Sequence, residues 1–565
     1  MKILTDNYKI LREALNRNEP IGEIAYNAFR KLFALDYYRP KVKLSLERPY
    51  NVLLNKIRDR DVLEFESEDL DMPETSITIV QTDLTGNDAH FRKMFEQSLE
   101  KQIKKPSKVI YREASSNGDS IPTEHIGDLD SDITIFLVND VLSDYALLRI
   151  CRLFEARHEL DVITFDEDQI DENGLRANPQ LKGVYNYFQL LSYNYIGNAF
   201  AVRTKRIKEY IDENSEKASY HEFLIHLEST HLEIGRIQEL LFSKYKEIEG
   251  IHPKKIFENR FSDSTTLVED GLHADTAKVV FPRQDILVSI IIPFRDYPEL
   301  LEQCVESIFK YTRYPKFEII LADNGSTDPK TLELVRSYSE KENVTHFPID
   351  IPFNFSEINN KAVKVAKGKF LLFLNNDTEV LHEGWMDEMV RLLFIAEVGV
   401  VGAKLVYEDG TIQHAGVTIG IGHFAGHLFK EMKEDDPRVS KRIQSLQEYS
   451  AVTGACMMTR RRLFHRLEGF DEANLAVAYN DIDYCLKARS KGFKVAYTPY
   501  AKLKHYESKT RTHDMSKSER ERYKKEIEFM KQKWSKVSMQ DPFYHKYLSK
   551  REQDNSISFN TRLTI

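Results

Sequence analysis

The sequence predicts an α/β protein built from two successive, largely parallel sheets. Short apolar runs alternate with segments of helical periodicity, the pattern of strand–helix–strand units. That pattern runs through 75–250 and restarts at Asp285. One apolar run, Lys369-Phe370-Leu371-Leu372-Phe373-Leu374, breaks abruptly into Asn375-Asn376-Asp377. A buried strand ending this way projects polar side chains from its carboxyl end, where open α/β sheets bind their ligands.

Composition narrows the class. With 565 residues, 41% hydrophobic and 30% charged, the chain has the make-up of a globular protein of about three domains. No apolar run approaches the roughly 18 residues of a membrane span, and Met1-Lys2-Ile3-Leu4 opens no signal peptide, which places the chain in the cytoplasm. A net charge of -9, from 80 basic and 89 acidic residues, argues against nucleic acid as a partner, since such binding rests on phosphate neutralisation. The basic run between Lys517 and Lys536 reads as the solvated face of a helix, with contact to anionic lipid at the inner membrane face as the alternative. Cys151, Cys304, Cys456 and Cys485 show no CxxC spacing and read as reduced core residues.

In chain order, 1–74 is a helical segment, with apolar side chains recurring every three or four positions from Ile21 to Phe33. A first α/β unit spans 75–250, with strands at Ile77–Val80, Lys108–Tyr111, Ile133–Leu137 and Val162–Phe165. The carboxylates at 166–172 suggest calcium, but Ile170 and Asp171 stand where an EF-hand needs an oxygen ligand and then its turn glycine. A linker is expected over 251–284 and a second unit over 285–515. Its strands are Val288–Pro293 and Lys316–Ala322, with Leu300, Leu301, Cys304, Val305 and Ile308 on one face of the helix between. A helical extension follows over 516–565. The two units are a repeat: Phe95-Glu96-Gln97-Ser98-Leu99-Glu100 answers Leu301-Glu302-Gln303-Cys304-Val305-Glu306, and Ile196–Lys205 answers Val452–Arg461.

Oxygen ligands at the end of the Phe370–Leu374 run suit a hard divalent ion carrying a phosphorylated substrate. Duller roles exist for each residue: Asp323 as a turn former, Asp481 as a helix N-cap, His505 as a structural histidine. His414, His423 and His427 fit no zinc spacing, and Gly420-x-Gly422 lacks the third glycine of a dinucleotide fingerprint.

Pro293-Phe294-Arg295, Ala322-Asp323-Asn324-Gly325-Ser326, Phe353-Asn354-Phe355-Ser356, Leu374-Asn375-Asn376-Asp377-Thr378, Asn480-Asp481-Ile482-Asp483 and Leu503-Lys504-His505 occur in one order. In that order they resemble the family 2 glycosyltransferases, inverting enzymes of the GT-A (Rossmann-like) fold, and in particular the bacterial cell-surface polysaccharide branch that includes rhamnosyltransferases. The resemblance is strong over 285–545 and weak over 75–250. It implies a UDP- or dTDP-sugar donor, a polysaccharide or lipid-linked glycan acceptor, and Mn²⁺ or Mg²⁺. Asp323 would accept the N–H of the pyrimidine, with Pro293, Arg295, Asn375 and Asn376 also at the nucleotide sugar. Asp377 and His505 would hold the metal, Asp481 would be the general base, and His414, Gly454 and Asp483 would lie on the acceptor side. Asn375 departs from the family's Asp-x-Asp, leaving the metal fewer charged ligands.

The first repeat is expected to keep the fold and lack the chemistry. Aligning Leu227 with Leu486 sets Glu222 against Asp481, but Arg112-Glu113-Ala114-Ser115 replaces Ala322-Asp323-Asn324-Gly325, and Ser243-Lys244-Tyr245-Lys246 stands where His505 would recur. A two-site polymerase, a noncatalytic glycan-binding scaffold and a sugar nucleotidyltransferase are the alternatives; the last would need a glycine-rich loop after the first strand, where the chain has Pro293-Phe294-Arg295-Asp296-Tyr297-Pro298.

Overall fold

The computed structural model describes residues 72–550, apart from 86–87, 114–119, 215–217, 231, 246–250, 263–264, 507–515 and 539. The helix expected at Ile21–Phe33 and the final residues 551–565 lie outside the described residues.

The first sheet contains β1 (Ile77–Asp83), β2 (Lys108–Glu113), β3 (Ile133–Val138), β4 (Asp140–Leu142), β5 (Leu160–Ile170), β6 (Arg176–Gln180), β7 (Phe200–Arg203) and β8 (Glu233–Lys244). Its order is β2-β1-β3-β7-β5-β8-β4, with β6 added beside β5. A small hairpin follows, β9 (Leu267–Asp270) with β10 (Ala277–Val280), preceded by the helix Pro253–Arg260. The segment expected to be a plain linker is thus folded, and Ala277 and Phe257 are completely buried.

The second sheet begins with β11 (Val288–Phe294), β12 (Phe317–Asp323), β13 (Val344–Pro348), β14 (Phe370–Leu374), β15 (Thr378–Val380) and β16 (Val398–Val406). After it come β17 (Ile412–His414), the separate hairpin β18 (Val417–Ile419) with β19 (Ala425–His427), then β20 (Gln447–Glu448), β21 (Cys456–Arg460) and β22 (Lys494–His505). The order is β13-β12-β11-β14-β21-β16-β22-β15. Apart from β13, this path reproduces the first sheet strand for strand, including the antiparallel β14–β21 and β15–β22 pairs that answer β3–β7 and β4–β8. Each unit is therefore a Rossmann-like α/β sheet with antiparallel strands added, and the duplication expected from the sequence is present in topology as well as in pattern.

The strands form where the sequence is continuously apolar. β11 and β14 are buried along their whole lengths, as strands covered on both faces must be. The helix Pro298–Tyr311 between β11 and β12 buries Leu300, Leu301, Cys304, Val305 and Ile308 against the sheet, and Pro298 at its start suits a position whose N–H is not needed. All four cysteines are free and buried.

The two units share a core, since one hydrophobic cluster runs from Val80 and Phe136 in the first through Phe188 and Phe257 to Ile290 and Leu503 in the second. Asn186 Nδ2 donates to the Glu448 carbonyl at 3.1 Å and its Oδ1 accepts from Glu448 N at 3.2 Å. The C-terminal strap adds a bridge: His545 Nε2 lies 2.7 Å from Asp166 Oδ2, while Asp541 Oδ2 accepts from Ile419 N at 2.7 Å. The carboxylates at 166–168 continue β5 and are buried. Lys182 pairs with Glu167 at 3.4 Å, and Arg176 pairs with Asp168, so this cluster is spent on internal partners.

Candidate active site

The order of the second sheet sets β11 between β12 and β14, whose chain connections leave it in opposite directions. Such a point opens a crevice at the carboxyl ends of the strands. Arg295, Asp323 and Asn375-Asn376-Asp377 follow or end those three strands.

Two loops frame one side. After β11, Asp296 and Tyr297 adopt left-handed backbone angles, φ 53° and 55°, a costly conformation for residues other than glycine. What stabilises it is Asp296 Oδ1, which accepts from Thr327 N at 2.7 Å and Asp328 N at 2.9 Å. Those backbone donors hold the Asp296 carboxyl below the usual carboxylate range. Arg295 is exposed and Pro293 buried within the strand, so Pro293 shapes the end of β11 and offers no surface to a ligand. Asp323 is buried at the end of β12. Its Oδ1 accepts from Ser326 N at 2.8 Å, and His346 Nε2 from β13 lies 3.1 Å from its Oδ2. His346 had no place in the sequence reading.

On the other side, Asn375 N donates to Ala455 O at 3.0 Å, and Thr378 Oγ1 donates to Asn375 O at 2.8 Å, turning the chain sharply after β14. The short β15 then pairs with the end of β22, setting Thr378 opposite His505. That pairing brings His505 Nε2 to 3.2 Å from Asp377 Oδ1, with Asn375 Nδ2 at 3.5 Å from the same nitrogen. Both residues are 7% exposed. Asp377 Oδ1 has no hydrogen-bond partner among the described residues. A buried carboxylate oxygen left unsatisfied is costly, and its approach to an imidazole nitrogen makes a pair of lone-pair donors suited to Mn²⁺ or Mg²⁺. The residues therefore fit the metal that the motif implies. Among the described residues no group of three or more such side chains converges, so the remaining ligands would come from substrate and water.

Asp481 lies in the first turn of the helix Asn480–Ser490, entered through Tyr479 at φ 62°. Its Oδ2 accepts from Gly454 N at 2.7 Å and its Oδ1 from Ile482 N at 2.8 Å. A Cβ at position 454 would come within 3.2 Å of the Asp481 Cβ, so glycine is what lets this backbone donor reach the carboxylate. Gly454, expected on the acceptor side, thus holds Asp481. The Phe353–Ser356 motif also acts on this loop. Asn354 caps the helix Phe355–Val363 and donates to Glu472 O at 2.9 Å, while Ser356 N donates to Ala476 O at 3.2 Å. Glu526, on the helix Lys517–Lys533, accepts from Val477 N at 2.9 Å and Ala478 N at 3.3 Å, and burial raises its carboxyl. The segment before Asp481 is therefore gripped from both flanks.

Two expected acceptor residues are not brought to this surface. Asp483 is completely buried: Trp534 Nε1 donates to its Oδ1 at 2.8 Å, and Lys533 Nζ lies 2.8 Å from the same oxygen. It fastens the C-terminal helix. His414 is also completely buried, with its Nδ1 3.2 Å from His427 Nδ1, and burial pushes its imidazole well below the ordinary range, leaving it neutral. The surface beside Asp481 is aromatic instead, with Tyr479 and Tyr523 half-buried and His423 exposed. Tyr479 and Tyr523 stack with ring centroids 5.9 Å apart, and His423 stands 6.1 Å from Tyr523.

In the first unit, the β4–β8 register sets Lys244 against Asp140, where the second sets His505 against Thr378. Lys244 Nζ lies 3.2 Å from Asp140 Oδ1. Asn198 stands where the second unit has Gly454, and the glycine before it, Gly197, lies against Glu167, whose Oε1 would be 3.0 Å from an added Cβ.

Residues 289–468 match the model of glycosyl transferase family 2. The chain is 32% identical over 485 residues to an uncharacterized protein of Sinorhizobium fredii, covering 81% of this chain and 53% of that one. It is 33% identical over 451 residues to the O-antigen biosynthesis protein RfbC of Myxococcus xanthus, covering 75% of this chain and 34% of that one. The chain thus spans about half or less of the length of these relatives. Among solved structures, GalNAc-T7 with UDP, GalNAc and Mn²⁺ aligns over 45% of this chain and 50% of that one, at 17% identity and a TM-score of 0.36.

Proposed function

We propose, from the match of residues 289–468 to the model of glycosyl transferase family 2, that the chain transfers a sugar, with inversion, from a UDP- or dTDP-sugar to a hydroxyl of a cell-surface polysaccharide or lipid-linked glycan. The observation that carries the reading is the 3.2 Å approach of Asp377 and His505, residues distant in sequence, at the end of the sheet that also carries Asp323. RfbC, one of the relatives, is an O-antigen biosynthesis protein, which favours a polysaccharide pathway.

Each residue then has one task. Asp323 accepts the imide N–H of the base. Asp377 and His505 would hold the divalent ion, which when bound would offset the charge that builds on the departing diphosphate. Asp481 takes the proton of the acceptor hydroxyl as its oxygen bonds to the anomeric carbon and the bond from that carbon to the diphosphate breaks. The acceptor approaches over Tyr479, Tyr523 and His423, whose amphipathic rings suit a sugar with apolar faces and polar edges.

The first unit serves as an acceptor-binding or packing module. Lys244 in its buried pair with Asp140 supplies internally the positive charge that a metal would bring. Weak attachment to the inner membrane face through the C-terminal helix is part of the same reading: Arg520, Lys524, Lys525, Lys531 and Lys533 are exposed, Lys533 while also paired with Asp483. No helix among the described residues is long and apolar enough to cross a membrane.

The test is a panel of UDP-, dTDP-, GDP- and CDP-sugars incubated with purified full-length protein and Mn²⁺, with nucleotide release as the readout. Turnover confined to one or more pyrimidine-imide donors is expected. Turnover of GDP- or CDP-sugars alone contradicts the reading.

A further inference from the structure

Asp377 and His505, as two lone-pair donors, have nothing to draw them together until a cation lies between them. Yet β15 has only three residues and ends the path of its sheet, so few backbone bonds fix where it meets β22. A cluster of side chains beside the pair supplies the tie. Tyr506, buried and next to His505, donates its hydroxyl to Glu379 Oε2 at 2.6 Å. Gln303 Nε2, from the helix Pro298–Tyr311, lies 3.1 Å from that oxygen and 2.8 Å from the Tyr506 hydroxyl. A hydroxyl this close to a carboxylate oxygen makes a charge-assisted bond, stronger than a neutral one. Lys504 Nζ stands 3.8 Å from the same Glu379 oxygen, and Tyr506 N donates to Asp377 O at 2.8 Å. The cluster thus joins one helix, β15 and the end of β22 around the position where Thr378 faces His505.

The first unit shows that the fold does not require this cluster. There Asp140 faces Lys244 as Thr378 faces His505, and Tyr245 N donates to Asn139 O at 2.8 Å as Tyr506 N does to Asp377 O. Gln97 answers Gln303 in the repeat. However, Val141 stands where the second unit has Glu379. Gln97 is exposed, and the Tyr245 hydroxyl turns instead to Asp88, 3.3 Å from its Oδ2. The strand pair forms there without the carboxylate, and the opposite charges of Lys244 and Asp140 tie its ends. The cluster is therefore present where the strand ends carry two metal-holding side chains, and absent where they carry an ion pair.

We infer that Glu379, Tyr506 and Gln303 are positioning residues, which fix β15 against the end of β22 and so keep His505 beside Asp377 for the divalent ion. The inference rests on the reading of Asp377 and His505 as the metal-holding pair. It gives the helix after β11 a second task, since the helix that starts at the Asp296-Tyr297 loop also braces the metal side of the crevice through Gln303.

Isothermal titration of the full-length chain with the tighter-binding of UDP and dTDP, over a series of Mn²⁺ concentrations, reads the metal requirement without turnover. Tyr506→Phe keeps the ring and the net charge, and Glu379→Val places at β15 the side chain that β4 already accommodates. Each should raise the Mn²⁺ concentration for half-maximal nucleotide affinity by about tenfold, the low end for residues that orient a metal ligand. Each should leave the affinity at saturating Mn²⁺ unchanged. Glu379→Gln, which removes the charge and keeps an acceptor for the Tyr506 hydroxyl, should recover most of the loss. An unchanged Mn²⁺ requirement in Tyr506→Phe and Glu379→Val overturns the inference. So does a loss in Glu379→Gln as large as in Glu379→Val with Tyr506→Phe normal, the mark of a simple charge effect, and so does a lower affinity at saturating Mn²⁺, the mark of a merely structural role. A wild type that binds neither nucleotide, binds one without regard to Mn²⁺, or keeps its Mn²⁺ requirement in Asp377→Ala and His505→Ala overturns the metal reading, and the inference with it.

Discussion

Replacing Asp481 by asparagine keeps the shape of the side chain and removes its basicity. Both oxygens now accept a backbone N–H, from Gly454 at 2.7 Å and from Ile482 at 2.8 Å. An amide has one oxygen, so either orientation turns its NH₂ toward one of these donors. The mismatch should cost about 1–3 kcal/mol of stability, visible as a lower Tm with secondary structure retained. The chemical effect is separate. A positioned base contributes about 10²–10⁴ in rate, so kcat should fall by at least about a hundredfold, or roughly 2.7 kcal/mol in the barrier. Donor affinity should hardly change, because Asp323, Asp377 and His505 lie on other elements. Single-turnover transfer, donor titration and circular dichroism on the same preparation separate the three quantities. Normal turnover would refute the assignment, and so would a loss of rate matched by an equal loss of donor affinity. An unfolded variant would remove its support.

If the first unit is silent, Asp377→Ala in the full chain should abolish all transfer; a second activity that persists and is then removed by Asp140→Ala or Glu222→Gln would show it to be a working site. Binding to anionic vesicles should be measurable at low salt and fade as ionic strength rises, whereas equal recovery in the supernatant with and without vesicles would count against membrane attachment. His221 is buried with its Nε2 2.7 Å from the Leu190 carbonyl, and burial lowers its pKa from 6.5 to about 4. A depressed folded-state pKa means that its contribution is fully present above 6.5 and is lost as pH falls toward 4, by up to about 3 kcal/mol in total. Chemical denaturation across that window should show the decline and should show less of it in His221→Gln; identical slopes would contradict this.

The sequence carried the sheets and the order of the site more clearly than its orientation. Continuous apolar runs located β11, β12 and β14, because strands covered on both faces leave no room for polar residues. The fixed order of motifs anticipated the meeting of Asp377 with His505, which depends on β15 pairing with β22. Asp483 was legible in principle: on a helix it lies about 200° around from Asp481, so if one faces the crevice the other faces inward. His346 was not legible, since Thr345-His346-Phe347 has no pattern that singles it out, and its contact with Asp323 arises from strand register. The folding of the expected linker depends on burial of Phe257 and Ala277 in an interface with no local signature. The carboxylates at 166–168 look like a ligand cluster because the partner of Asp166, His545, is far away in sequence.

The most direct test of the central claim is chelation. With the pyrimidine nucleotide sugar that the panel identifies, excess EDTA should abolish transfer by the full-length protein, and added Mn²⁺ or Mg²⁺ should restore it. Restoration should fail in both Asp377→Ala and His505→Ala, although each variant remains folded. Full activity in excess EDTA, or metal-restored activity at the wild-type rate in either variant, would contradict the assignment of Asp377 and His505 as the metal-holding pair.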